Sequence, residues 1–230
     1  MTFSIAGLCR RTGEFGCALT TSSMAVGGRA AFVVPEVGVV LSQARSDPRL
    51  GALGVKSLEA GRSARQVLAE MIASTPHAEW RQLAVLDLNG GVADFTGAHC
   101  TLAKGARPGR DAIALGNGLA NDAVVGAMME GFAAAPDGAL ADRLLSALDY
   151  GLAAGGEAFP LRSAALKVAR PGVPFPPIDL RVDYSETPVA DLRRIWEAWE
   201  PMIAGYVERC LDPANSPAAA TIEGHAPIPA

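Results

Sequence analysis

Read for the alternation of apolar and polar positions, the chain opens as sheet. Residues 2–8, 15–21, 31–34 and 37–42 read as four strands, the first two joined by a turn at Arg11, Thr12, Gly13 and Glu14. A helical period then takes over in two pieces, residues 48–60 and 63–74, separated by Gly61. In the second piece Val67, Leu68, Met71 and Ile72 share one stripe, and Ser63 and Gln66 stand at capping-box spacing. The period returns to two over residues 82–88 and 92–96, which flank Asn89-Gly90-Gly91, a hairpin signal because Asn-Gly accepts positive φ. A strand over residues 111–115 is expected to end at Gly116-Asn117-Gly118, with Asn117 as a turn residue tolerant of left-handed geometry. Asn121 then caps a helix carrying Val124, Val125, Met128 and Phe132. Asp137 caps another carrying Leu140, Leu144, Leu148 and Leu152, stopped by Gly155 and Gly156. Strands over residues 163–169 and 178–182 flank a Pro-rich loop. A last helix runs from Thr187 and Pro188 through Leu192, Ile195, Trp196, Trp199 and Tyr206, kinked at Pro201.

Strands and helices therefore come in blocks rather than in strict alternation. Blocks favour antiparallel sheets with segregated helices, an α+β fold, over a parallel doubly wound sheet. No stretch resembles an interdomain linker, so residues 1–211 read as one domain and the Pro- and Ala-rich residues 212–230 as a flexible tail.

Composition narrows the function classes. The net charge of −4 comes from interspersed Asp and Glu, and no block of Lys and Arg is present to engage a phosphate backbone, so nucleic acid is not an expected partner. The N-terminus lacks the basic and apolar regions of a signal peptide, and no apolar run suggests a membrane partner. The expected compartment is the cytoplasm. Cys9, Cys17, Cys100 and Cys210 form no C-x-x-C pair and read as reduced thiols.

Several segments together resemble a mainly bacterial family, domain of unknown function 1028, placed in the superfamily of N-terminal-nucleophile (Ntn) hydrolases. They are Met1-Thr2-Phe3-Ser4-Ile5, Ala25-Val26-Gly27, Val37-Gly38-Val39-Val40 with Ser42-Gln43-Ala44 and Asp47-Pro48, Arg81-Gln82-Leu83, Phe95-Thr96-Gly97 with Cys100, Leu115-Gly116-Asn117, Ser163-Ala164-Ala165 and Asp179-Leu180-Arg181-Val182-Asp183. The chain departs from the family at Leu102-Ala103-Lys104-Gly105, where a Trp-Ala-Gly-His run is usual, and at Leu161-Arg162, where an Arg-rich run is shortened. The resemblance implies a four-layer αββα sandwich of two stacked antiparallel sheets flanked by helices.

It also implies a chemistry. An Ntn hydrolase attacks an amide with the side chain of its mature first residue, whose own α-amine is the base. An α-amine has a pKa of about 7.7–8.0, so a useful fraction is neutral near pH 7. Thr2 becomes first once Met1 is removed; a retained Met1 turns the amine into an amide nitrogen without basicity. Asn117 could direct an amide toward an oxyanion. Ser22 and Ser23, after the second strand, could line a pocket or form a polar turn. Gln43 and Arg81 follow the family pattern as substrate-binding candidates, although a strand Gln or Arg is more often a surface or structural hydrogen-bonding group.

Other chemistries find weaker footing. His99 and Cys100 are adjacent and in an extended chain would point to opposite faces. No Gly-x-Ser-x-Gly elbow or H-E-x-x-H helix occurs, so neither a serine triad nor a metal is expected, and the glycine pair at 116 and 118 is too short for a nucleotide fingerprint, so no cofactor is expected. The pairs Asp179/Asp183 and Asp87/Asp94 and the strand residue Lys167 read as solvated faces before they read as acid–base groups. Two functions stay open: an amidohydrolase cleaving the C–N bond of a small molecule, linear or ureido-type, through Thr2, and a catalytically silent ligand-binding or assembly module. Trp196, Trp199 and Tyr206 could seal a homo-oligomer or simply pack a core.

Overall fold

The computed structural model of the chain describes residues 1–101 and 103–225. Leu102, at the head of the run that departs from the family pattern, and the last five residues of the tail lie outside the described residues.

Among the described residues, ten strands form two stacked antiparallel sheets. The larger contains β1 (Thr2–Cys9), β2 (Glu14–Thr21), β7 (Ala103–Gly109), β8 (Ala112–Leu119), β9 (Ser163–Ala169) and β10 (Ile178–Val182), in the order β10-β9-β2-β1-β8-β7. The smaller runs β3 (Ala31–Val34), β4 (Gly38–Ala44), β5 (Arg81–Asp87) and β6 (Val92–Thr96) in chain order. α1 (Pro48–Glu59) and α2 (Ala64–Ala73) join the two halves of the smaller sheet, and α3 (Val124–Ala133) and α4 (Leu140–Ala153) link β8 to β9. The chain closes with α5 (Pro188–Trp199), α6 (Ile203–Leu211) and the short α7 (Ala219–Ile222).

The period-two patterning sorts side chains into three cores. Phe3 and Ile5 of β1 pack with Met128, Phe132, Leu144 and Leu148 of α3 and α4, and with Leu192 and Trp196 of α5. The alternate residues Ala6 and Leu8 meet Leu19 of β2, Val39 and Leu41 of β4, Leu86 of β5 and Leu115 of β8 between the sheets. Val40, Leu83 and Val85 turn the other way, toward Leu50, Val67 and Met71 of α1 and α2. Gly7 and Gly16 stand opposite each other on β1 and β2. A Cβ at Gly7 would lie 2.7 Å from the Phe132 ring and one at Gly16 2.8 Å from Leu144, so this bare pair lets α3 and α4 lie close on the sheet.

Four sequence expectations are corrected. β7 was not expected: it carries Gly105, Pro108 and Gly109 without alternation and holds as an edge strand, where Pro108 costs no ladder hydrogen bond. β8 does not stop before Gly116; it continues through Asn117 to Leu119, and Gly118 takes the left-handed position at φ +67°. Asp137 does not cap α4, whose N-cap is Ala139. At Pro201 the expected kink is a full break, with a 3-10 turn between α5 and α6. Gln66 does return to Ser63, accepting from its backbone N–H at 3.0 Å. Trp196 is core, its indole donating to Asp142 at 2.8 Å. Among the described residues no helix is long and apolar enough to cross a membrane.

Candidate functional site

At one end of the inter-sheet space the face of every central strand changes from apolar to polar. Along β1 it passes from Leu8 and Ala6 to Ser4 and Thr2. On β2 it passes from Leu19 to Thr21, on β8 from Leu115 to Asn117, on β4 from Leu41 to Gln43 and on β5 from Ala84 to Gln82. Antiparallel pairing brings these ends together, with Thr2 opposite Asn117 and Gln43 opposite Gln82. The polar residues are buried, Thr2 at 4% exposure and Gln43 and Gln82 at 0%, so each needs a partner.

The partners form a directed relay across both sheets. The Ser4 hydroxyl donates to Gln43 Oε1 at 2.7 Å, and Gln43 Nε2 donates to Gln82 Oε1 at 2.8 Å. Gln82 Oε1 also accepts from Asn117 Nδ2 at 2.9 Å, while Gln82 Nε2 donates to the Gly116 carbonyl at 2.8 Å and to Thr96 Oγ1 at 3.0 Å. The arrangement anchors Asn117 beside Thr2 and ties the smaller sheet to β1 and β8.

Around Thr2 the contacts are with the residue before it. The Met1 carbonyl accepts from the hydroxyls of both Thr2 and Thr21, and those two hydroxyl oxygens lie 3.3 Å apart. A side chain on Gly118 would collide with that of Met1, so the left-handed glycine makes the space Met1 fills. Glu157 closes the strand end. Its Oε2 accepts from the Ser22 N–H at 3.0 Å, it bridges to Leu119, and its Oε1 is buried without a hydrogen-bond partner. Burial pushes the Glu157 carboxyl above its ordinary range, against the pull of its hydrogen bond to Ser22 and of the N-terminal ammonium.

The candidate residues named from sequence are distributed unevenly around this end. Thr2, Asn117 and Gln43 belong to the polar cluster. Ser22 is half-buried and contributes its backbone N–H; Ser23 is exposed, its N–H reaching Thr21 Oγ1 at 3.4 Å. Arg81 starts β5 with its guanidinium turned to the Arg45 carbonyl and, at 3.5 Å, to Asp47, the N-cap of α1. His99 packs against Trp80 with ring centroids 4.4 Å apart and the planes tilted by 56°, and the Cys100 thiol contacts the Arg81 carbonyl, burial raising its pKa away from the reactive thiolate. Asp87 spends its oxygens on the backbone N–H groups of Ala64, Asn89 and Gly91, and Lys167 pairs with Asp179 across β9 and β10 at 3.3 Å.

Sequence reasoning did not single out Ser4, Thr21, Gln82, Gly118 or Glu157. The first three carry a signal in hindsight, as polar residues at the inward-facing ends of otherwise apolar strands. Glu157 carries none, since a charged residue after two glycines reads as surface loop.

A family model described as a family of unknown function, DUF1028, matches residues 2–192. The crystal structure of protein SPO2555 from Silicibacter pomeroyi, assigned to the same family, is 34% identical, superposes at a TM-score of 0.80 and covers 85% of this chain and 84% of that one. Anbu (ancestral beta-subunit) from Yersinia bercovieri is 10% identical over 90% of this chain and 97% of that one, at a TM-score of 0.37. No curated protein matches. The match over residues 2–192 and the SPO2555 likeness together show that the chain belongs to the DUF1028 family.

Proposed function

We propose that the chain is an Ntn-type amidohydrolase of four-layer αββα architecture that cleaves a small amide through Thr2. One observation carries the reading: Thr2 begins β1 at the polar end of an otherwise apolar inter-sheet core, directly opposite Asn117. In this reading Met1 is removed and the Thr2 α-amine becomes free. The neutral amine takes the proton of the Thr2 hydroxyl as its Oγ1 attacks the amide carbon. Asn117 Nδ2 commits one proton to Gln82 and keeps a second N–H for the oxyanion that forms. Collapse breaks the C–N bond, the amine leaves with the proton, and water hydrolyses the Thr2 ester. Gln43 acts through Gln82 and Ser4 to fix Asn117 and β1. Ser22 and Ser23 line the approach for a small-molecule substrate, and Arg81 stands behind it as a structural support. The expected setting is the cytoplasm, with a homo-oligomer open.

A second reading has its own observation. Met1 packs against Gly118 with its carbonyl held by two threonine hydroxyls, an arrangement that suits a silent module retaining its first residue. Intact mass of natively expressed protein and assay against a panel of small amides separate the two. The hydrolase reading expects a mass lacking Met1, activity lost in Thr2→Ala and partly kept in Thr2→Ser. Complete Met1 retention contradicts it.

A further inference from the structure

The strand register places Met1 in a slot. Because Thr2 faces Asn117 on β8 and Phe3 faces Thr20 on β2, the residue before Thr2 falls between Gly118 on one side and Ser22 on the other. Glu157, held by the Ser22 N–H and bridged to Leu119, seals the far end of that slot. Glu157 is 8% exposed and one of its carboxylate oxygens has no partner, an arrangement that a donor entering the slot would relieve. The slot thus combines a wall without a side chain, two threonine hydroxyls at its inner end and an unsatisfied acceptor at its outer end.

Met1 itself indicates what such a slot accepts. It is an acyl group joined to Thr2 nitrogen, with its carbonyl oxygen beside Thr2 Oγ1; its ammonium is near enough to favour the charged Glu157 carboxyl yet makes no ion pair with it, and Glu157 Oε1 stays without a partner. An acyl group carried on Thr2 Oγ1 during hydrolysis would lie in nearly the same place. We propose that the slot vacated by Met1 is the acyl subsite and that Glu157 holds a positively charged amine on the acyl part of the substrate, making the substrates α-amino acyl amides. This assignment rests on the hydrolase reading for its chemistry, though the subsite can be tested by binding alone. Charge-assisted contacts of a carboxylate with an ammonium discriminate strongly against neutral analogues, because those leave the buried acceptor unpaired.

The test uses protein whose intact mass lacks Met1, with L-methioninamide, N-acetyl-L-methioninamide and the desamino amide 4-(methylthio)butanamide as probes. Ammonia release by the wild type is expected to favour L-methioninamide over both neutral amides by at least about tenfold in kcat/KM. Glu157→Gln is expected to raise KM for L-methioninamide by a similar factor and to leave the desamino amide within about twofold. In Thr2→Ala, calorimetry is expected to show L-methioninamide binding that Glu157→Gln removes. Glu157-dependent binding without any hydrolysis would remove the hydrolase reading and keep the subsite. Hydrolysis of the neutral amides untouched by Glu157→Gln would do the reverse. L-methioninamide that is neither bound nor cleaved overturns the subsite.

Discussion

Gln43 and Gln82 stand directly opposite each other on β4 and β5, fully buried, and the Gln43 amide donates to the Gln82 side-chain oxygen at 2.8 Å. The pair couples the sheets, since Gln43 also accepts from Ser4 of β1 and Gln82 from Asn117 of β8. Replacing Gln82 by Met keeps the volume but strands the Gln43 and Asn117 donors and the Gly116 carbonyl. Each buried group left unpaired costs about 1–3 kcal/mol, so Gln82→Met is expected to lower unfolding free energy by more than about 2 kcal/mol in urea titrations. A loss under about 0.5 kcal/mol would mean that the relay has water-filled substitutes.

Gly118 separates the two states of the N-terminus. Its φ of +67° makes any Cβ unfavourable, by about 1–2 kcal/mol, whether or not Met1 is present. The collision with the Met1 side chain arises only while Met1 remains and adds about 1–3 kcal/mol of overpacking. Gly118→Ala is therefore expected to destabilise Met1-retaining protein more than processed protein. Equal losses by thermal unfolding would show that Met1 does not occupy the space beside Gly118.

Glu157 gives the fold a pH signature. Its folded pKa is raised by burial above the unfolded value of about 4.3, so its charged form is penalised in the folded state. The folded protein then binds more protons than the unfolded chain in this window, and the contribution of Glu157 to stability falls as pH rises through it. Glu157→Gln removes that dependence. The stability of the variant relative to wild type is expected to increase between about pH 4 and pH 7, and a decrease over that range would contradict the assignment.

The C-terminal segment is only lightly attached. Ile222 of α7 rests against Gly205 of α6, the Tyr206 hydroxyl meets Glu223, and Arg209 donates to the Pro217 carbonyl at 2.9 Å. About 1 kcal/mol of apolar burial is at stake, which for a chain of this size shifts Tm by about 2–4 °C. Deleting residues 212–230 is expected to stay within that range in calorimetry; a drop beyond about 8 °C would show that the tail is part of the core.

The alternation of apolar and polar residues made strands such as β1 and β4 legible because alternate residues pack on different neighbours: Phe3 and Ile5 on α3 and α4 but Ala6 and Leu8 on the other sheet, Val40 on α1 and α2 but Val39 and Leu41 between the sheets. The hairpin at Asn89-Gly90-Gly91 followed from local turn chemistry alone. β7 escaped because an edge strand half open to solvent needs no alternation, and its Gly105 and Pro108 argue locally against sheet. Asn117 looked like a turn residue because it lies between two glycines, yet the left-handed geometry falls on Gly118, and Gln82 holds Asn117 in the strand. Thr2 was legible only through its place at the chain start and the family resemblance. Thr21 offered only its polarity at an apolar strand's end and Glu157 nothing, because their proximity to Thr2 depends on pairing across β2 and on the return of the chain after α4, which no local pattern encodes.

The most direct test of the account compares processed protein, with Thr2 first, against protein carrying one uncleavable residue before Thr2, in the same small-amide assay. The extension leaves the hydroxyl in place and removes only the basic α-amine. The account expects amide hydrolysis by the processed protein and loss in the extended protein as complete as in Thr2→Ala. Activity that survives the extension would contradict it, and would mean that Thr2 is not an N-terminal nucleophile.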